Sequence, residues 1–332
     1  MIRRRQFTHA GLLLPLTAAL SSQVLSSQAL AAKAQGDPSP SSRKILLDTD
    51  IGSDIDDAVA LAYLLRQPRC ELLGITTVTG DAQGRARLAA ALCEAASVET
   101  PIYPGEETPL FVDSMQTDAP QTRRLKSREA TFPNHAAIEF LRDTVHAHPH
   151  EVTLLAVGPL TNIATLFARY PETPALLAEL VIMGGKFSDY PTPWGPTEWN
   201  VIVDPHAARQ VFAAAVPKIT ATGLDITWQV SMSPEEVKAR FREDPLLEIV
   251  LDWSKVWFEE RELLHFHDPL TAATLFNPSL CRFQSGDVYV DLESKPIPGV
   301  TSFRENPAST IQVATNVDSD AFFKEYFSVF HQ

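Results

Sequence analysis

Residues 45–65 read ILLDTDIGSDIDDAVALAYLL, and five carboxylates, Asp48, Asp50, Asp54, Asp56 and Asp57, fall within ten positions of that stretch. Acids at this density repel one another, so a turn that carries them is costly unless a cation offsets the charge. An apolar run, Ile45–Leu47, precedes them and an Ala- and Leu-rich segment follows. The pattern therefore changes from a short buried strand to a helix across the acidic turn. A solvated acidic loop with Asp56 as helix cap would account for the acids without a ligand, because a helix N-terminus tolerates negative charge. Their place argues for more: open α/β sheets keep their ligands just outside the carboxyl ends of the strands. The expectation is a divalent-cation site. The other donors on that rim are carboxylates and loop carbonyls, and hard oxygen donors without sulfur suit calcium or magnesium. Zinc would want a compact His/Cys set, which only His265-x-His267 approaches.

Two further groupings could do chemistry. Glu198 and Asn200 flank Trp199, and in extended backbone they point to one side, where a carboxylate and an amide could grip a diol. An ordinary polar strand edge would look the same. His267-Asp268-Pro269 precedes an apolar helix from Leu270 to Phe276. Asp268 could cap that helix, and a histidine beside a carboxylate could donate a proton near neutral pH. No glycine-rich phosphate loop and no G-x-S-x-G elbow is present. Trp253 and Trp257, four apart, read as core at helical spacing.

The elements that must position these groups alternate. Strands are expected near 45–49, 71–79, 152–157, 180–183 and 219–224, with Glu198–Val203 also extended. Helices are expected near 57–67, 83–97, 134–147, 161–169 and 205–215. Helices dominate from 233 to 276, and the tail holds extended runs at 286–292 and 310–316 before a last helix at 319–330. This order predicts an α/β fold: an open, mainly parallel twisted sheet with Rossmann-like helices on both faces and the active site at the C-terminal rim of the strands. That rim would carry the acidic turn, Gly80-Asp81, Gly158–Asn162, Gly184-Gly185 and Asp225. Residues 106–134 have little periodicity, and so long a surface excursion is often functional.

Composition sets outer limits. The 332 residues are 45% hydrophobic with net charge −13. So acidic a chain, with no basic stripe, is a poor nucleic-acid binder. Residues 1–34 read as a twin-arginine-like export signal: Arg3-Arg4-Arg5-Gln6-Phe7, an apolar stretch from Ala10 to Leu20, then small-x-small cleavage sites. That stretch is shorter than the ~20 residues that span a bilayer. The mature protein is expected to be periplasmic or secreted and free of the membrane. Residues 35–43 read as a disordered lead-in and 44–332 as one domain with a helical insert around 233–264. Cys70, Cys93 and Cys281 show no paired spacing, so free thiols are expected, with a Cys70–Cys93 bridge as the alternative.

With these residues in view, the chain resembles the nucleoside hydrolases, the calcium-dependent, inosine–uridine-preferring N-ribohydrolases. The likeness runs from about Lys44 to the C-terminus. It rests on Asp48-Thr49-Asp50-x-Gly52 with Asp56-Asp57-Ala58, then Gly158–Asn162, Met183-Gly184-Gly185, Glu198-x-Asn200 before Asp204-Pro205, and His267-Asp268-Pro269, in the family's order. The resemblance implies that Asp50, Asp57, Asp268 and the main-chain carbonyl of Thr161 hold Ca2+. It implies that Asp50 takes the proton from the attacking water and that Asp56, Glu198 and Asn200 bind ribose hydroxyls. Met183 would line the sugar pocket and His267 would help protonate the departing base. It further implies a small-molecule nucleoside substrate and a homodimer or homotetramer. Hydrolysis of another ribosyl compound, or non-catalytic nucleoside or ribose binding, are the alternatives.

Several positions depart from the family pattern. Ile51 stands where the usual opening has Pro, and Ser53-Asp54-Ile55 intervene where one residue is usual. Giving the sugar contact to Asp56 takes the two extra residues to bulge outward; Asp54 entering the site is the alternative. Asp81 replaces a frequent Asn, adding an acid near the metal. The family's His-Gly block is missing from residues 106–134, and Phe187–Thr197 hold no match for its Asn.

Overall fold

The computed structural model describes residues 42–126, 130–133, 136–294 and 298–330; the leader expected at 1–34, and the lead-in as far as residue 41, lie outside them. Eleven strands form among these residues: β1 (Arg43–Thr49), β2 (Cys70–Thr77), β3 (Ile102–Pro104), β4 (Val152–Ala156), β5 (Glu179–Met183), β6 (Ile219–Thr222), β7 (Ser231–Met232), β8 (Leu264–His265), β9 (Cys281–Val290), β10 (Thr301–Glu305) and β11 (Ile311–Val317). Nine make one sheet in the order β10-β9-β11-β6-β5-β4-β1-β2-β3, and β7 pairs with β8 separately. Strands β1 to β6 and β11 run parallel, while β9 and β10 add an antiparallel end.

The period-2 alternation of strand side chains divides the interior into two layers. On β1, Ile45 and Leu47 enter one core and Leu46 the other; on β5, Val181 and Met183 separate from Leu180 and Ile182 in the same way. The first core is closed by helices 56–66, 82–96, 245–257, 267–274 and 319–328, and the second by helices 137–147, 161–169 and 205–212. Both faces of the central strands are therefore buried, which explains why they read as continuous apolar runs. Leu46 and Leu47 are almost wholly enclosed, and truncating such a side chain costs about 2–5 kcal/mol.

One element differs in kind from its expectation. Glu198–Val203 is not extended; residues Trp199–Val203 form a short helix whose N-cap is Glu198. The Glu198 side chain accepts from the amides of Asn200 and Val201, and this local bond overrides the β-branched composition of Val201-Ile202-Val203. The three cysteines are free thiols. Among the described residues no helix is long and apolar enough to cross a membrane.

Candidate active site

Above the carboxyl ends of β1, β4, β5 and β6 lies a cavity of about 850 Å³. Each of these strands ends in or leads into a residue of its wall: Asp50 after β1, Val157 after β4, Met183 closing β5 and Leu224 after β6. The roof comes from the 106–126 excursion through Met115, Gln116, Thr117 and Asp118, and the far side from Trp257 and residues 259–263.

Among the acids that line this space are Asp50, Asp54, Asp56, Asp57 and Asp268. Asp56 and Asp57 open helix 56–66, while Asp268 lies in the first turn of helix 267–274. One carboxylate oxygen from each of Asp56, Asp57 and Asp268 lies within 4.8 Å of the other two. Asp56 Oδ2 also accepts the main-chain N–H of Asp268 at 3.0 Å, and the Thr49 hydroxyl donates to Asp57. Burial, then the charge of neighbouring acids, raises the carboxyls of Asp56, Asp57 and Asp268 well above the usual carboxylate range and that of Asp54 to about 7. Arg85, fully buried beneath them, donates to the carbonyls of Asp50, Ile51, Thr79 and Asp118 and to the Ser53 hydroxyl, and to none of these carboxylates. It fixes the turn and leaves much of the acids' charge unmatched at close range. Buried, all-oxygen and crowded, this donor set fits a hard divalent cation.

Glu198 and Asn200 line the same cavity. Glu198 accepts from the amides of Gly185, Asn200 and Val201 at 2.7–3.0 Å, and burial lifts its carboxyl to about 7 against those bonds. Asn200 Nδ2 donates to the carbonyls of Val157 and Met183 and touches the Met183 sulfur at 3.6 Å, so it ties the two strand ends together. A third wall is aromatic. Trp228 stacks on His265 at 3.7 Å between centroids, and His265 on His267 at 5.4 Å, with all three rings nearly parallel. His267 Nδ1 lies 2.7 Å from the Thr227 hydroxyl. Burial, and to a lesser degree His265, lowers the His267 pKa to about 3, so its imidazole is neutral at ordinary pH rather than a cationic acid.

The structure brings Asp50, Asp56, Asp57, Met183, Glu198, Asn200, His267 and Asp268 to one cavity, and Asp54 with them. It does not bring Thr161. That residue opens helix 161–169, where a carbonyl points down the helix axis toward the i+4 amide, and its hydroxyl donates to Asp204. Val157, four residues earlier, holds the position on the wall. Asp81 is also off the wall: it caps helix 82–96 through the Gly84 amide and pairs with Arg87. Asp225, expected on the rim, is buried as an acceptor for the Phe187 amide. Asp268 is not a cap, since helix 267–274 starts before it. Trp253 is core, but Trp257 lines the cavity mouth. Residue spacing gave no hint of Arg85 or Gln116. His265 carried a signal only as half of the zinc-like pair.

The model of the inosine-uridine preferring nucleoside hydrolases matches residues 45–324. The chain belongs to that family. It is 32% identical over 309 residues to the pyrimidine-specific ribonucleoside hydrolase RihB of Escherichia coli O157:H7, an alignment covering 85% of this chain and 95% of the relative. Among solved structures, a purine-preferring ribonucleoside hydrolase from Gardnerella vaginalis superposes with a TM-score of 0.75 at 26% identity, covering 87% of this chain and 98% of that one. A plant nucleoside hydrolase, PpNRh1, shares the fold at a TM-score of 0.74 and 24% identity, over 87% and 98% of the two chains. As a nucleoside hydrolase, the protein is an enzyme that hydrolyses N-glycosidic bonds of ribosyl compounds, and the mainly parallel sheet is that of its relatives.

Proposed function

We propose that the protein is an exported, calcium-dependent ribonucleoside hydrolase that splits nucleosides into ribose and free base. The observation that carries the metal is the meeting of Asp56, Asp57 and Asp268 oxygens within 4.8 Å on the wall that also holds Asp50, Glu198 and Asn200. Asp57 and Asp268 of that cluster would hold the ion with Asp50, which lines the same cavity but stands outside the cluster; Thr161 has no part in it. A bound calcium supplies offsetting charge for the carboxylates and acidifies a water molecule beside them.

The chain's own groups do the rest. Asp50 accepts the proton of the attacking water. Asp56, Glu198 and Asn200 grip the ribose hydroxyls, and Met183 packs against the sugar. Breaking the C1′–N bond builds positive charge on the ribose, and carboxylates fixed around it stabilise that oxocarbenium-like state. The stacked wall of Trp228, His265 and His267 faces the base. His267 Nδ1 shares a hydrogen bond with the Thr227 hydroxyl, and in the tautomer protonated on Nε2 the neutral ring is a donor toward the departing base.

Incubation with inosine, uridine and adenosine, with calcium and with a chelator, tests the reading. Ribose release that stops in chelator and returns with calcium is expected; no release from any of the three overturns it. Export is tested by a reporter fused behind residues 1–34, which should leave the cytoplasm and be retained after Arg4→Lys with Arg5→Lys. Assembly as a homodimer or homotetramer is read from light scattering.

A further inference from the structure

We propose that Gln116 is a positioning residue for the Asp50 carboxylate, and that the Trp199 indole sets its orientation. The inference rests on Asp50 being the base of the reaction proposed above. Gln116 is carried by the 106–126 excursion, reaches the cavity wall and is only 7% exposed. An indole N–H donates and never accepts. The 2.8 Å bond from Trp199 Nε1 therefore fixes the Gln116 amide with its oxygen toward the tryptophan. The NH2 group then points the other way, donating to Asp50 Oδ2 at 3.0 Å and to Ser53 Oγ at 2.6 Å. A flipped amide would set oxygen against carboxylate and N–H against N–H, two repulsive contacts in place of favourable ones.

The tether is short enough to hold this geometry. Just beyond Gln116, the Asp118 carbonyl accepts from Arg85 and from the Ser53 hydroxyl, and the Gln121 amides donate to the carbonyls of Gly52 and Asp54. Arg85 holds the Asp50 main chain from beneath while Gln116 holds its carboxylate from above. Because Trp199 lies between Glu198 and Asn200, the same amide links the Asp50 base to the segment that grips the sugar. An anchor for the excursion alone would need only one of these bonds; the paired orientation serves Asp50.

Kinetics of the calcium-saturated enzyme separate the two roles. Gln116→Glu is nearly isosteric and keeps the acceptor for Trp199, but turns an oxygen toward Asp50. Positioning predicts that it lowers kcat by about 10–100-fold with KM little changed, as expected when a group that orients a reacting residue is lost. Trp199→Phe should lose less, and adding it to Gln116→Ala should cost nothing further, since both act through one amide. Wild-type kcat in Gln116→Glu, or independent losses in the double variant, overturns the proposal. A second readout needs no turnover. The Gln116 side-chain amide, identified in a 1H–15N spectrum by its disappearance in Gln116→Ala, should be protected from exchange and should move in Asp50→Asn. An unmoved, fast-exchanging pair sinks the proposal even if nucleosides are cleaved. Absence of ribose release with a protected, Asp50-sensitive pair sinks the hydrolase reading instead.

Discussion

Buried carboxylates stand at both ends of the central strands, and they are treated in opposite ways. At the amino end, Glu179 on β5 is met by Lys218 at 2.8 Å, Arg43 at 3.2 Å and the Thr220 hydroxyl at 2.7 Å. At the carboxyl end, Asp56, Asp57 and Asp268 face one another, and the nearby Arg85 directs its hydrogen bonds elsewhere. The first acid is neutralised by the fold itself. The second group carries a charge deficit that the fold leaves to a partner from solution, and a deficit kept at a strand rim is a means of binding rather than of folding.

The largest break in this comparison comes from Asp50. Asp50→Asn keeps the shape and the Gln116 contact but cannot accept a proton, and kcat should fall about 10²–10⁴-fold, the range of a lost general base. A fall of less than tenfold would take Asp50 out of the chemistry. Next comes Asp268→Asn, which should weaken calcium binding at least about 100-fold by calorimetry, since losing even a group behind a ligand costs 10–100-fold. In chelator at pH 8 the same variant should melt higher than the parent, because one of several repelling charges has gone. Glu179→Gln should do the reverse, lowering stability with or without metal by roughly 1–2 kcal/mol. That is below the 3–5 of a wholly buried pair, because Arg43 and Lys218 are 39% and 49% exposed. If both variants destabilise the metal-free protein alike, the two ends are not different in kind.

Much of this contrast could be read from sequence, and the parts that could not share a cause. The alternation of apolar strands and helices gives the parallel sheet, and five acids beside an apolar strand give the cation-seeking rim. Thr161, Asp81 and the Glu198 segment fail because each is decided by a local helix: a carbonyl directed down the axis, a cap on Gly84, and a cap on Asn200 and Val201. Spacing puts a residue near a rim but does not say which way a helical turn aims it. Arg85 and Gln116 fail for another reason. Arg85, two residues before Arg87 in helix 82–96, reads as part of a solvated face, and a glutamine in a non-periodic excursion carries no pattern. Their roles exist only once the excursion folds back over the acidic turn.

The smallest expected effect concerns the metal-free protein and pH. Asp54 and Glu198 have carboxyls lifted to about 7, chiefly by burial, against ordinary unfolded values near 4. Between those values the folded state binds more protons than the unfolded one, so stability falls as pH rises. The contribution is fully present below about pH 4 and is lost as pH passes through about 7. Chelated protein should therefore melt a few degrees lower at pH 8 than at pH 5.5, in scans at constant ionic strength. Calcium should raise the melting temperature more at pH 8 than at pH 5.5, because the ion competes with protons for the same oxygens. Glu179→Gln should leave the size of that calcium effect unchanged, since its carboxylate answers to cations the chain already holds. A calcium effect equal at both pH values would mean that the rim acids are not the groups the ion relieves.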